Sequence, residues 1–376
     1  MKTFRRTIAA TLSQVALISA SATAADTVLD EQFCQVYYTL DDGNCPALRD
    51  AVRSERRGNG TPTLELGDPS TQPAMVFFHG WPDTSATWAN YFAEFCGEDK
   101  RYFCVAPSLI NFHPDLEPAD DSELTFKNQR AQFLAVIKEL DLSDITLVMF
   151  DFGAFIGYGF LYEHSELISR VVAMDIAMNL QPPDVPNEGA IDIVNTYPDT
   201  IYQTNNVKAF NREDDEFMDN NIRSVVTGLT QRDKVPCVDC KIAPNATKGV
   251  GWRTGWPYYE LFARYEPGPW TDGFNVSVDL WEFGGAPSFP SNIPFLYLYS
   301  KTFVSEDWNN WIDQRGDGSK QVLVVSSVEH WFPIENPEET IVSMKEWLDD
   351  SSSSAMLVTW FLPMLSAAMW FLLLFV

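Results

Sequence analysis

One stretch constrains the fold more than any other: Ile145-Thr-Leu-Val-Met-Phe-Asp-Phe-Gly-Ala-Phe-Ile-Gly-Tyr-Gly-Phe160. The run Ile145 to Phe150 has the length and apolar character of a strand buried on both faces of a parallel sheet. It ends at a lone carboxylate, Asp151, followed by Phe152 and Gly153. Ala154, Gly157 and Leu161 then recur at helical spacing, as on a helix pressed against a sheet. A strand, a sharp turn and a helix, with one reactive side chain at the turn, is the layout that presents a nucleophile in G-x-S-x-G elbows. Asp151 occupies the nucleophile position. Gly153 supplies the small residue after it, but Met149 stands where a glycine is usual before it. The competing role for Asp151 is the N-cap of the helix that follows.

The rest of the pattern alternates. Apolar strands are expected at Ala74 to Phe78, Tyr102 to Ala106, Ile145 to Phe150, Arg170 to Ile176, Ile293 to Tyr299 and Gln321 to Ser326. Helices are expected at Trp88 to Phe95, Thr125 to Leu140, Trp308 to Ile312 and Glu338 to Leu348, the second amphipathic through Phe126, Phe133, Val136, Ile137 and Leu140. Alternation of this kind implies an α/β fold, a mostly parallel sheet with helices on both faces. Residues 25 to 70 read as polar loop, with an early strand at Thr63 to Leu66. The alternation breaks between residues 180 and 288, which are rich in Pro, Asn, Asp, Gly and aromatics and carry a helical piece at Tyr258 to Tyr265. That span reads as an insertion.

Both ends have their own character. Lys2, Arg5 and Arg6, the apolar segment Ile8 to Ile18, and Ala22-Thr-Ala24 form a secretory signal over residues 1–24. At the other end, Ser351 to Ser354 precede an uncharged apolar tail, Ala355 to Val376, within residues 349–376. Such a tail is either a GPI-attachment signal or a retained membrane helix, so attachment to a membrane is expected through it. Six cysteines fall into local pairs, Cys34 with Cys45, Cys96 with Cys104 and Cys237 with Cys240, although spacing alone leaves the connectivity open. They suit an oxidising compartment. The sequons at Asn59, Asn245 and Asn275 agree with it. The Cys237-Val-Asp-Cys240 spacing has no second such pair and no histidine nearby, so no metal is expected. The net charge of -26 makes nucleic acid a poor partner.

Three loops at the carboxyl ends of strands carry the reactive residues: His79-Gly80-Trp81-Pro82, Asp151, and Glu329-His330-Trp331-Phe332-Pro333. In this order, with the insertion between Asp175 and Ile293, residues 63 to 348 resemble the α/β-hydrolase fold, and within it the epoxide hydrolase and haloalkane dehalogenase branch. His79-Gly-Trp-Pro82 matches that branch's H-G-x-P motif. Phe150-Asp-Phe-Gly-Ala154 matches its H-D-W-G-[GA] elbow, and Glu329 to Glu338 its histidine loop. The resemblance implies a core of residues 25–179 and 289–348, with a cap of residues 180–288.

It also implies a chemistry without cofactor or metal. Asp151 attacks a substrate carbon to form an alkyl-enzyme ester, and His330 then activates water to hydrolyse it. The backbone N–H groups of Trp81 and Phe152 form the oxyanion hole. The usual acid of the branch would fall at Phe303, which cannot orient an imidazole. Asp175, the place used by some haloalkane dehalogenases, is the expected substitute, with Glu306 and Asp307 as alternatives. Epoxide opening needs a proton donor, which relatives take from two cap tyrosines; Tyr258, Tyr259 and Tyr265 are the candidates. Phe152 lacks the ring N–H with which dehalogenases hold halide, so epoxide hydrolysis is expected over dehalogenation. The substrate is expected to be a small, apolar molecule. A non-catalytic surface protein on the same fold is the contrasting expectation, suggested by Met149, Phe150 and Phe303. Oligomeric state has no signature in the chain.

Overall fold

The computed structural model describes residues 50–97, 99–113, 119–176, 201–230, 251–262, 293–300, 320–325 and 330–349. An eight-stranded sheet organises them, in the order β1-β2-β4-β3-β5-β6-β7-β8. The strands are β1 (Arg53–Arg57), β2 (Thr61–Leu66), β3 (Ala74–Phe78), β4 (Phe103–Pro107), β5 (Ile145–Phe150), β6 (Ile168–Met174), β7 (Phe295–Ser300) and β8 (Lys320–Val325). From β4 onward all neighbours run parallel; only β1 with β2 and β2 with β4 pair antiparallel. A parallel sheet puts all its carboxyl ends on one edge, so His79, Asp151 and Asp175 emerge together from β3, β5 and β6.

The helices that cover the sheet are α1 (Ala89–Phe95), α2 (Phe126–Glu139), α3 (Phe152–Glu163) and a last helix over residues 337–349. Helix α2 starts where Thr125 accepts the Asn128 N–H at 3.0 Å, a side-chain cap. Its buried face, Phe126, Phe133, Val136 and Ile137, meets the sheet where Phe133 stacks on Phe78 at 4.0 Å. Arg130 locks α2 to α3 through two 2.9 Å bonds to Glu163. Cys96, after α1, is bridged to Cys104 in β4 with their Cα atoms 5.7 Å apart. The remaining cysteines lie outside the described residues.

The hairpin of β1 and β2 corrects the expectation of loop before Thr63. Arg-Ser-Glu-Arg-Arg carries no apolar residue and therefore no periodic signal. It is an edge strand held by its partner: Arg57 donates to both carboxylate oxygens of the fully buried Glu65, at 2.7 and 3.1 Å. Asn59 sits exposed in the turn between the two strands.

Between β6 and β7 the insertion is more helical than its composition suggests. Helices α4 (Ile201–Arg212), α5 (Asp215–Thr230) and α6 (Trp256–Phe262) appear, with a 3₁₀ turn at Gly251–Gly255. The expected helix at Tyr258 to Tyr265 is α6, starting two residues earlier. Helices α4 and α5 escape a reading by composition because polar residues occupy their contact face too. Asn221 donates to Asn206 Oδ1 and to the Tyr202 carbonyl, each at 3.0 Å. The insertion is tied to the core by Trp256, whose indole N–H donates to the Ile110 carbonyl at 2.8 Å. Among the described residues no helix is long and apolar enough to cross a membrane. The basic start and the apolar tail lie outside them, as does the expected helix at Trp308 to Ile312.

Candidate active site

The elbow is built by close packing. Asp151 takes φ 51° and ψ -125°, a left-handed conformation rare for a residue with a side chain, and one that turning sharply from β5 into α3 requires. Gly153 permits it: a Cβ there would press on the Phe78 and His79 carbonyls, 2.5–2.6 Å from the Phe78 carbon and the His79 oxygen. At Gly80 a Cβ would come 2.5 Å from Asp151 Oδ1. Met149, standing where a small residue is usual, is accommodated from the other side. Its sulfur occupies the space that a side chain at Gly157 of α3 would take.

Asp151 is not held as a helix cap, since its side chain makes no capping bond. Instead the Trp81 N–H donates to its Oδ1 at 2.7 Å, and His330 Nε2 lies 3.3 Å from its Oδ2. On the far side of the imidazole, Nδ1–H donates to Asp175 Oδ2 at 2.6 Å. Asp175, just after β6 and also at positive φ (62°), is fully buried. Its Oδ1 accepts from the Ser300 N–H at 3.0 Å and from the Ser300 hydroxyl at 3.2 Å. Three carboxyl-terminal strand ends thus place Asp151, His330 and Asp175 in line. Glu306 and Asp307, the alternative acids, fall outside the described residues, as does Phe303.

His79 belongs to the turn itself. Its Nδ1–H donates to the Gly80 carbonyl at 3.0 Å and its Nε2 accepts the Leu109 N–H at 3.0 Å. Burial holds it neutral, with its pKa down at about 4. His330 differs. Burial opposes its charged form, but bonds to Asp151 and Asp175 outweigh that and raise its pKa to about 10. Burial pushes the Asp175 carboxyl up, against the pull of His330 and the Ser300 donors.

The insertion brings two tyrosines to Asp151. Tyr258 of α6, one of the expected residues, meets Phe152 at 4.6 Å and Trp81 at 5.3 Å, ring to ring. Its partner is Tyr202 of α4, which stacks on Trp81 at 6.0 Å and meets the Tyr258 ring edge-on at 5.8 Å. Burial, and then the Asp151 charge, lift Tyr202 to about 12; burial, then Tyr202 and Asp151, hold Tyr258 well above the usual tyrosine range. The expectation for Tyr259 is corrected. It points away, stacking on Phe210 at 4.7 Å and lining a surface cavity with Trp252 and Leu124. Consecutive helical residues diverge by about 100°, so Tyr258 and Tyr259 cannot both face the nucleophile. Tyr265 lies outside the described residues. Tyr202 is not among the expected residues, because the polar contact face of α4 leaves no periodic signal; Tyr202, Asn206 and Ala209 share one face of that helix.

Comparison with known proteins agrees with this architecture. Residues 73–337 match the family model for the alpha/beta hydrolase fold, and the chain belongs to that family. It is an α/β-hydrolase similar to epoxide hydrolases and haloalkane dehalogenases. An epoxide hydrolase of Neurospora crassa is 24% identical over 37% of this chain and 40% of its own length. A haloalkane dehalogenase of Agrobacterium fabrum is 26% identical over 38% and 42%. The chain thus spans about two-fifths of the length of these curated relatives. The crystal structure of epoxide hydrolase VrEH1 from Vigna radiata superposes with a TM-score of 0.58 at 18% identity, over 80% of this chain and 99% of that one. That likeness concerns the fold.

Proposed function

We propose that this chain hydrolyses epoxides through an ester on Asp151, with His330 as base, Asp175 as its orienting acid, and Tyr258 with Tyr202 as proton donors. One observation carries the reading: two tyrosines of the insertion, Tyr258 and Tyr202, 5.8 Å apart ring to ring, pack on Trp81, whose N–H holds Asp151, and Asp151 Oδ2 faces a buried imidazole. A general acid and a nucleophile are then supplied to the two ends of a strained C–O bond.

The steps of this reading follow from the contacts of Asp151. Oδ1 is engaged by the Trp81 N–H, so Oδ2 attacks the epoxide carbon while Tyr258 gives its proton to the opening oxygen. In the resting site His330 is an imidazolium between two carboxylates. Ester formation removes the Asp151 charge, and with it one of the interactions that held the imidazolium proton. That proton passes to the tyrosinate, leaving a neutral imidazole. His330 then takes a proton from water as the hydroxide attacks the Asp151 carbonyl carbon, and Oδ1 carries the developing charge toward the Trp81 N–H. As the adduct collapses, Oδ2 leaves with the diol and takes the proton of the added hydroxyl, which restores the carboxylate and leaves His330 an imidazolium, so protons balance over the cycle.

The test is product analysis with an aryl or alkyl epoxide beside a haloalkane of the same skeleton. Diol is expected from the first and little halide from the second, because the Phe152 ring offers no N–H. In Tyr258→Phe, diol formation is expected to fall about 10²-fold or more, the usual weight of general acid catalysis. Halide release alone would favour a dehalogenase; no product from either would point to a non-catalytic binding role.

We further propose that the globular part faces the lumen or the cell exterior, attached through the tail at Ala355 to Val376. The Cys96–Cys104 bridge and the exposed Asn59 sequon support this. Expressed in eukaryotic cells, the protein is expected on the outer surface in a form shortened by peptide N-glycosidase. Release by phosphatidylinositol-specific phospholipase C would mean a GPI anchor, retention a membrane helix. An unglycosylated protein in the cytosol would refute the placement.

A further inference from the structure

The strand that carries the catalytic acid in the resembling branch is β7, and here its last residue is Ser300. We propose that Ser300 is a positioning residue: it clamps Asp175 so that a carboxylate from the neighbouring strand β6 serves His330. This rests on the reading of Asp151 and His330 given above.

The geometry is specific. The Ser300 N–H and hydroxyl both donate to Asp175 Oδ1, at 3.0 and 3.2 Å, which leaves Oδ2 alone to face His330 Nδ1 at 2.6 Å. Register makes this possible. β6 and β7 pair in parallel from Val171 with Phe295 to Met174 with Leu298, so the chain beyond Met174 runs beside the end of β7. The Asp175 N–H continues the ladder by donating to the Leu298 carbonyl at 2.8 Å, and the Tyr297 hydroxyl donates to the Asp175 carbonyl at 3.2 Å. The backbone of Asp175 is thereby pinned at positive φ, and the two Ser300 donors fix the remaining rotation of its carboxylate. Asp175 and Ser300 are each fully buried, so no solvent competes for those bonds.

The other groups around this pair are few. Asp151 faces His330 from the elbow; Phe150 and Trp331 pack rings on the imidazole at 4.9 and 5.2 Å. The Tyr297 hydroxyl is committed to the Asp175 backbone, and the Tyr158 hydroxyl to the Ile176 carbonyl at 2.8 Å. Among the described residues, only Ser300 and His330 donate to the Asp175 carboxylate. Donors to a carboxylate favour its ionised form. Losing one makes the Asp175–His330 pair hold its proton more tightly.

The test is Ser300→Ala, which keeps the N–H and removes the hydroxyl, beside Ser300→Thr, which keeps both. In Ser300→Ala, kcat for diol formation is expected to fall about ten- to hundredfold, the weight of one hydrogen bond to a charged group. The acid limb of its pH profile should move to higher pH, and Ser300→Thr should restore it. Ester formation on Asp151, followed by mass spectrometry in a single turnover, should be slowed less than ester breakdown, which also counts the folded sites. Independently of turnover, the low-field proton resonance of His330 Nδ1–H should move in Ser300→Ala. A resonance and an acid limb that stay in place, or a limb that moves to lower pH, would overturn the role of Ser300. If the native protein forms no ester while the resonance still responds, the clamp stands and the proposed reaction fails.

Discussion

Turned over once with an epoxide in ¹⁸O-water, the protein is expected to release unlabelled diol and to keep the label in Asp151. The reason lies in which bond breaks. Oδ2 becomes the ester oxygen, and water attacks the Asp151 carbonyl carbon, so Oδ2 leaves with the diol and the water oxygen stays in the carboxylate. Label should reach the diol only in later turnovers. Asp151→Ala is expected to lose turnover by about 10⁴-fold or more, the scale on which triad members are felt. Mass spectrometry of the peptide spanning Asp151 reads the first outcome directly. Label in the first-turnover diol, with none in that peptide, would mean direct attack of water on the epoxide and would remove Asp151 as nucleophile.

Asp175→Asn is expected to lower kcat by about 10⁴-fold, as the equivalent change does in serine protease triads. An amide presents either its oxygen or its NH₂ to Nδ1, and no longer balances the imidazolium. Once Asp151 is held as an ester its charge no longer offsets the imidazolium, and at the position of Asp175, which has no exposure to water, solvent does not take over that role. The effect should fall on ester breakdown, so the Asp151 ester accumulates in this variant and is seen by intact-mass measurement. An Asp175→Asn protein that turns over normally would return the acid role to Glu306 or Asp307.

Much of this site is legible in the amino-acid sequence. The apolar run into Asp151, the His79-Gly-Trp-Pro82 turn and His330 each carry a local signature, because each sits where a strand ends and a special backbone is needed. The alternation of strands and helices on either side fixed the sheet edge on which they meet. What resisted reading was what depends on register or on a polar contact face. β1 has only charged and polar residues, and exists because β2 and Glu65 hold it. Tyr202 belongs to a helix whose packing partners include asparagines, so its alignment with Tyr258 has no periodic trace. Ser300 ends an ordinary apolar strand, and only the pairing of β6 with β7 shows which carboxylate it meets. Between Tyr258 and Tyr259 the sequence offers no choice; the helix phase makes it.

The fit of Met149 against Gly157 has a consequence for how such an elbow can change. The vacancy usually left on the strand has moved to the helix, and the two positions now depend on each other. A side chain at 157 is tolerated only if residue 149 is small, and a large residue at 149 only if 157 stays bare. A route between the two arrangements therefore has a permitted direction. Emptying one position first leaves a tolerable hollow, whereas filling the second first drives two side chains into the same space. Replacing Met149 by glycine and Gly157 by alanine together should cost less than the glycine-to-alanine change alone, a reversal that addition of single effects would not foresee.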